Sequence, residues 1–440
     1  MHYQYKKLVG VLALAGMMAP GIASATNGYF SHGYGMKAEG MGGAATAMAD
    51  DAFGGANNPA AMVFAGNRLD IGLDWFSPQR SAERSGSVAG LNGKADSGST
   101  NFFIPEFGYN KMLSNRLSLG VTVYGNGGMN TDYPGGQIPA GNGVCGTFNP
   151  TGTGAYNLLC GTGKLGVDLM QLIVAPTVAY KVNQNNSIGI APLFGYQRFK
   201  AEGLQAFKGF SSDPNHLTNQ GYDSSTGWGV RIGWMGKVSN TVTLGAAYAS
   251  KMQMSKMDKY KGLFANQGEF DLPSNWNLGI AVKATPKVTI AADYQRINYS
   301  DVDAIANSST NGNPATANTL GVNNGRGFGW QDVDIIKLGV EYQYSRKLTL
   351  RAGYDHTDNP IQSRDVTFNI LAPGVVQDHA TLGFTYGLSR DSELTMAYMH
   401  AFKNSVTGSS LFNTWTGNTA GNEKIQMYED SLGIAYGMKF

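Results

Sequence analysis

Beyond its first 25 residues, this 440-residue chain has no apolar run near the 18 residues that would read as a membrane-spanning helix. Charge is scarce as well, at 15% of residues against about a quarter in ordinary soluble domains. Neither sign prevails, with 33 Lys and Arg against 31 Asp and Glu. Without a concentrated basic surface, nucleic acid is not expected as a partner. Cysteine is limited to Cys145 and Cys160, separated by fourteen residues of a Gly-rich stretch. No His stands near either and no C-x-x-C occurs, which favours a loop-closing disulfide over a metal site. Catalytic signatures are missing too. The chain has no G-x-S-x-G, H-E-x-x-H or Walker A sequence, and His32, His216, His356, His379 and His400 are scattered. An enzyme is not expected, and no cofactor or metal is called for.

Residues 1–25 read as a secretory signal peptide. Lys6 and Lys7 precede an apolar run from Leu8 to Ala19, and Ala23-Ser24-Ala25 forms a cleavage site. Export suits a disulfide. Loss of the two lysines leaves a formally neutral mature chain.

What the chain does have is glycine (60 residues), aromatics (11%) and alternation. Ile336, Leu338, Val340 and Tyr342 alternate with Lys337, Gly339, Glu341 and Gln343. Leu348, Leu350, Ala352 and Tyr354 do the same against Thr349, Arg351, Gly353 and Asp355. Similar segments of about ten residues recur along the chain, each ended by turn residues. Six connections are tight, near Lys111–Asn115, Asn183–Asn186, Ser239–Thr241, Thr285–Lys287, Ser345–Arg346 and Ser389–Asp391. Seven are long, roughly 78–99, 126–166, 205–226, 256–273, 301–333, 357–378 and 404–428. Long and short alternate, so the expectation is all-β: a 14-stranded antiparallel transmembrane barrel with its short turns on one side. Leu432, Ile434, Tyr436, Met438 and Phe440 make the closing strand, and its final aromatic resembles the signal read by the barrel-assembly machinery. The expected location is a Gram-negative outer membrane, among its lipid and lipopolysaccharide, as a monomer.

Residues 26–66 break the alternation. Small residues dominate, Ala44 to Asp51 read as a short helix, and Met36, Met41, Phe53, Met62 and Phe64 make the segment too apolar for a disordered tail. A plug inside the lumen is the expectation, which divides the chain into 1–25 signal, 26–66 plug and 67–440 barrel. Gly33 to Ala44 (GYGMKAEGMGGA), Asp50-Asp51-Ala52 and Asn57-Asn58-Pro59-Ala60 look like the N-terminal hatch of the FadL family of outer-membrane long-chain fatty acid and hydrocarbon transporters. Asp293 to Val302, Leu350 to Tyr354 and Phe368 to Val375 (FNILAPGV) agree with it, and the resemblance spans the mature chain.

The resemblance implies a hydrophobic substrate that is captured by outer loops, passed to a pocket in the barrel and released sideways through a kinked third strand. It places Asn58, Pro59 and Ala60 as a gating turn facing Gly125, Asn126, Gly127 and Gly128 of that strand. A Gly cluster suits a bend. Apolar loop residues Leu204, Phe207 and Phe210, with Phe148, Leu158 and Leu159 near the cysteines, are the candidates for capture; packing of the loops on one another is the other reading. Arg198 matches a family arginine that meets a carboxylate, yet alternation puts it on the face of Phe194 and Tyr196, inward only if a bulge intervenes. Where fatty-acid members carry a lysine this chain has Ser300-Asp301-Val302-Asp303, which leaves neutral aromatic hydrocarbons or alkanes as the alternative substrate.

Overall fold

A computed structural model describes residues 27–312 and 319–440; the expected signal peptide lies outside the described residues. Fourteen strands make one antiparallel ring. They are β1 (Arg68–Ser85), β2 (Phe102–Met112), β3 (Leu117–Asn130), β4 (Gly166–Lys181), β5 (Asn186–Glu202), β6 (Asp223–Lys237) and β7 (Val242–Ala249). After them come β8 (Asn275–Thr285), β9 (Val288–Ile297), β10 (Val333–Gln343), β11 (Leu348–Thr357), β12 (Asp378–Gly387), β13 (Ser392–Ser409) and β14 (Asn422–Lys439). Each pairs with its sequence neighbours, and β14 returns to β1 from Arg68↔Lys439 to Ser85↔Asn422. The β14–β1 seam is paired along its whole length, so no open edge is left there for lipid to meet.

The alternation sets the two faces of the wall. Leu432, Ile434 and Tyr436 are more than 40% exposed, while Ser431 and Ala435 at the alternate positions are buried. An apolar outer surface of this kind is stable only against hydrocarbon, which exchanges no hydrogen bonds with it. The six tight turns lie where the sequence places them. Several strands run further than the apolar pattern does. β1 continues to Ser85 and β13 to Ser409, so part of the expected loops 78–99 and 404–428 is ladder. Cross-strand bonds hold these polar extensions without an apolar face.

Residues 27–66 pack against inward-facing side chains from around the ring. Asp70 accepts from Ala52 N, Glu106 from Gly35 N, and Asp293 from both Ala45 N and Thr46 N. Arg231 donates to Gly55 O, Lys337 to His32 O, and Lys37 pairs with Glu393 at 2.6 Å. One departure from expectation lies in this segment. Ala44–Asp51 is not helical; the helices here are α1 (Met36–Glu39) and α2 (Met62–Ala65), the latter after a 3-10 turn at Pro59–Ala61. Asp293 and Asp70 on the wall hold the two ends of this stretch through the N–H groups of Ala45, Thr46 and Ala52.

Asn58 is the buried hub of this segment. Its amide donates to Thr46 O (2.8 Å) and Trp234 O (3.0 Å), and its oxygen accepts from Ala60 N. Asn58→Ala would leave these groups unpaired, a cost of about 2 kcal/mol. The expected outcome is a barrel that still shifts on heating in gels, with residues 40–66 cut faster by protease. Unchanged cutting would refute the anchoring.

Candidate functional site

β2 and β3 pair only from Phe107↔Val123 to Met112↔Ser118. Above that point the two strands part. Among the barrel strands, Phe102–Glu106 of β2 pairs with β1 alone and Tyr124–Asn130 of β3 with β4 alone. Two local features cause the split. Pro105 offers β2 no N–H at the parting edge. In β3 the register slips between Gly125 and Gly127, so Asn126 is an extra residue in a β-bulge. Gly125, Asn126, Gly127 and Gly128 therefore form the bend that their composition suggests. It opens a gap in the hydrogen-bonded wall.

The inner side of the gap is covered by the first described residues. Phe30 bridges Gly127, Ser31 N donates to Asn126 O, and Gly128 N donates to Tyr29 O, both at 3.2 Å. The Tyr34 hydroxyl donates toward Asn126 O and Oδ1 (3.4 and 3.3 Å). Tyr29 is fully buried among Phe30, Phe270, Tyr299 and Trp330, with ring centres 5.2–6.4 Å away. Nothing in Tyr29–Ser31 stands out in the sequence except a pair of aromatics.

The Asn58-Pro59-Ala60 turn is elsewhere, a correction to the expected placement. It packs on β5 and β6, where a side chain at Gly189 would come within 2.4 Å of the Pro59 carbonyl carbon and one at Gly233 within 2.0 Å of Asn58 Oδ1. Both wall positions need glycine for this close approach. The turn lies near the short-turn end of β5, whereas the β3 bulge lies toward the long loops, so the two do not meet.

An apolar cavity lies among the long loops. Leu159, Leu204 and Phe207 line it, together with Phe199, Phe264, Phe328, Phe368 and Leu371. The other loop residues play a packing role. Phe148 and Phe210 both meet the Trp415 ring (5.3 Å edge-on and 4.9 Å tilted), Phe148 also meets Phe412 (5.4 Å), and Leu158 is buried. The 3-10 turn Gln205–Phe210 sets this division, turning Phe207 inward. Cys145 and Cys160 are joined, tying this loop to itself. A smaller space, lined by Tyr29, Gly128, Met129 and Ala372–Gly374, adjoins the β3 bend. The FNILAPG stretch thus contributes to both spaces, and Thr131 donates to Leu371 O at 2.8 Å.

One cation lines the larger cavity. Arg326 is buried, donates to Thr319 Oγ1 (3.1 Å) and Ser309 O (3.0 Å), and stands 5.4 Å from the Trp415 ring. No carboxylate pairs with it among the described residues, and burial pushes its guanidinium below the ordinary arginine value. No pattern in the sequence marks it. Arg198, by contrast, stays outside. β4 and β5 pair without a slip around it, so no bulge turns it inward, and it stacks on Tyr222 at 4.5 Å. A carboxylate inside the lumen cannot reach it.

The barrel resembles solved transport proteins. It matches the toluene transporter TodX of Pseudomonas putida with a TM-score of 0.65 at 18% identity, covering 93% of this chain and 99% of that one. The Ralstonia pickettii toluene transporter TbuX gives 0.62 at 19%, over 93% and 99%. A Pseudomonas aeruginosa FadL homologue gives 0.66 at 14%, over 94% and 100%. Comparison with curated proteins produces no match. The profile described as outer membrane protein transport protein (OMPP1/FadL/TodX) matches residues 18–440. The split wall, the filled lumen and this match over nearly the whole chain together place the protein in the OMPP1/FadL/TodX family of outer-membrane transporters of hydrophobic compounds.

Proposed function

We propose that hydrophobic molecules enter the loop cavity, pass Tyr29 and leave sideways into the membrane between β2 and β3. The parted wall backed by a displaceable segment carries this reading. Sideways release keeps an apolar solute out of water, whose contact costs about 0.8 kcal/mol per CH₂. Residues 27–66 act as the hatch. Within it, Tyr29–Ser31 form the moving part and Asn58–Ala60 the fixed anchor, because the former are held to β3 by two backbone bonds and the latter by a buried side-chain hub.

Arg326 favours a substrate with a carboxylate end, such as a long-chain fatty acid. The aromatic lining equally suits a neutral ring or alkane, the second reading. Production of the protein in a bacterium lacking such a transporter should confer uptake of oleate, toluene or both. Arg326→Ala should lower oleate uptake at least tenfold and leave toluene uptake within twofold. Equal effects on both solutes would refute a carboxylate role for Arg326, and uptake of neither would refute the transport reading for these substrates.

A further inference from the structure

The outer face of the barrel repeats a polar device where its apolar band ends. β9, β11 and β13 each carry a tyrosine followed two residues later by Arg or His: Tyr294 and Arg296, Tyr354 and His356, Tyr398 and His400. Directly across on the next strand stands an aspartate each time, Asp334, Asp378 and Asp430. The contacts close at 2.9, 2.7 and 2.9 Å. Each side chain at the rim is thereby paired within the protein.

β5 carries the same first half, Tyr196 and Arg198, without the second. The residue across on β6 is Ser224 and the one on β4 is Met170. Arg198 Nε approaches Met170 Sδ at 3.1 Å, and its guanidinium lies over the Tyr222 ring. Lys200 Nζ stands 5.4 Å from the same ring. Acids nearby are engaged: Asp168 takes the Tyr222 hydroxyl, Glu202 is 3.4 Å from Lys200, and Asp223 accepts from Ser224 N and Lys259 N. Arg198 keeps the outward donors that its counterpart Arg296 spends on Asp332 and Asp334.

We propose that Arg198 and Lys200, with the Ser224 hydroxyl beside them, bind a phosphate of an outer-leaflet glycolipid. Height supports it. Arg198 is ten residues above Ile188, about 25 Å along the membrane normal at roughly 3.3 Å per residue and a tilt near 40°. That matches the apolar band of an outer-membrane barrel, about 25 Å tall. The guanidinium fork suits two phosphate oxygens, and stacking on Tyr222 presents it without using its outer N–H groups. Directly below are Phe194 and Trp228, paired across strands and both more than half exposed, which supply a wall for acyl chains. A charged head above an apolar wall selects a phosphorylated lipid over free phosphate.

Ser224→Asp installs the acid that the other three positions possess, on an exposed site. The full chain purified in mild detergent should retain phosphorylated glycolipid by native mass spectrometry. Ser224→Asp and Arg198→Ala should each lower the retained amount at least tenfold, while Arg296→Ala leaves it unchanged and all variants still shift on heating in gels. Adding back glycolipid with its phosphates removed should give no adduct. Retention by both variants, an adduct with the dephosphorylated lipid, or displacement by millimolar inorganic phosphate at equal affinity would each overturn the proposal.

Discussion

Uptake should stop when Phe30→Cys and Gly127→Cys are combined and oxidised, and should return on mild reduction. The two residues face each other across an antiparallel bridge flanked by the bonds Ser31 N to Asn126 O and Gly128 N to Tyr29 O. That pattern makes them a non-hydrogen-bonded pair, with Cα atoms roughly 4.5 Å apart, within the range a disulfide spans. The bond would hold the segment against β3 and keep the gap covered. The expected loss is more than twentyfold in an uptake assay, with each single Cys variant near wild type. A reductant also reaches Cys145–Cys160, so wild-type protein treated identically sets the baseline. A locked protein that transports normally would show that Tyr29–Ser31 do not need to move, and would sink the sideways route as drawn.

The second large effect is expected from Gly127→Val with Gly128→Val. Along β3, Gly127 is in register with Gln171 and Gly128 with Met170, so one new side chain points into the lumen and the other outward. β-Branched residues favour regular extended backbone over a bulge and fill space that glycine leaves open. Uptake should fall more than tenfold, while the melting behaviour of the barrel is unchanged or improved, since the Pro105 side of the gap is untouched. Binding of a radiolabelled substrate to the loop cavity should persist, because Leu204, Phe207 and Phe368 are unaltered. Wild-type transport by this variant would favour an axial path past a displaced hatch. Loss of binding and transport together would instead indicate a collapsed cavity, which the heat-shift assay would reveal.

The strands, their number, the sides of the turns and the two faces of the wall were legible in the residues alone. These are properties of the pleat. Each residue's direction follows from its parity along the strand, and lipid outside with a packed lumen inside makes the parity visible in Leu69 to Trp75 as much as in Leu432 to Phe440. Parity even placed Arg198 correctly, on the outer face. Resemblance marked the β3 bend and the FNILAPG stretch, both of which border the cavities. Contacts between residues far apart in the chain emerged only with the folded barrel. Tyr29, not Pro59, meets the bend, because its partner Tyr299 and the edge of β3 are brought to it by closure of the ring. Ala44–Asp51 is irregular and is tied to Asp293, nearly 250 residues away, through the Ala45 and Thr46 N–H groups. Arg326 enters the cavity from a loop whose sequence carries no periodic signal. Local patterning encodes which way a side chain points; what it points at depends on which distant strand the barrel brings opposite.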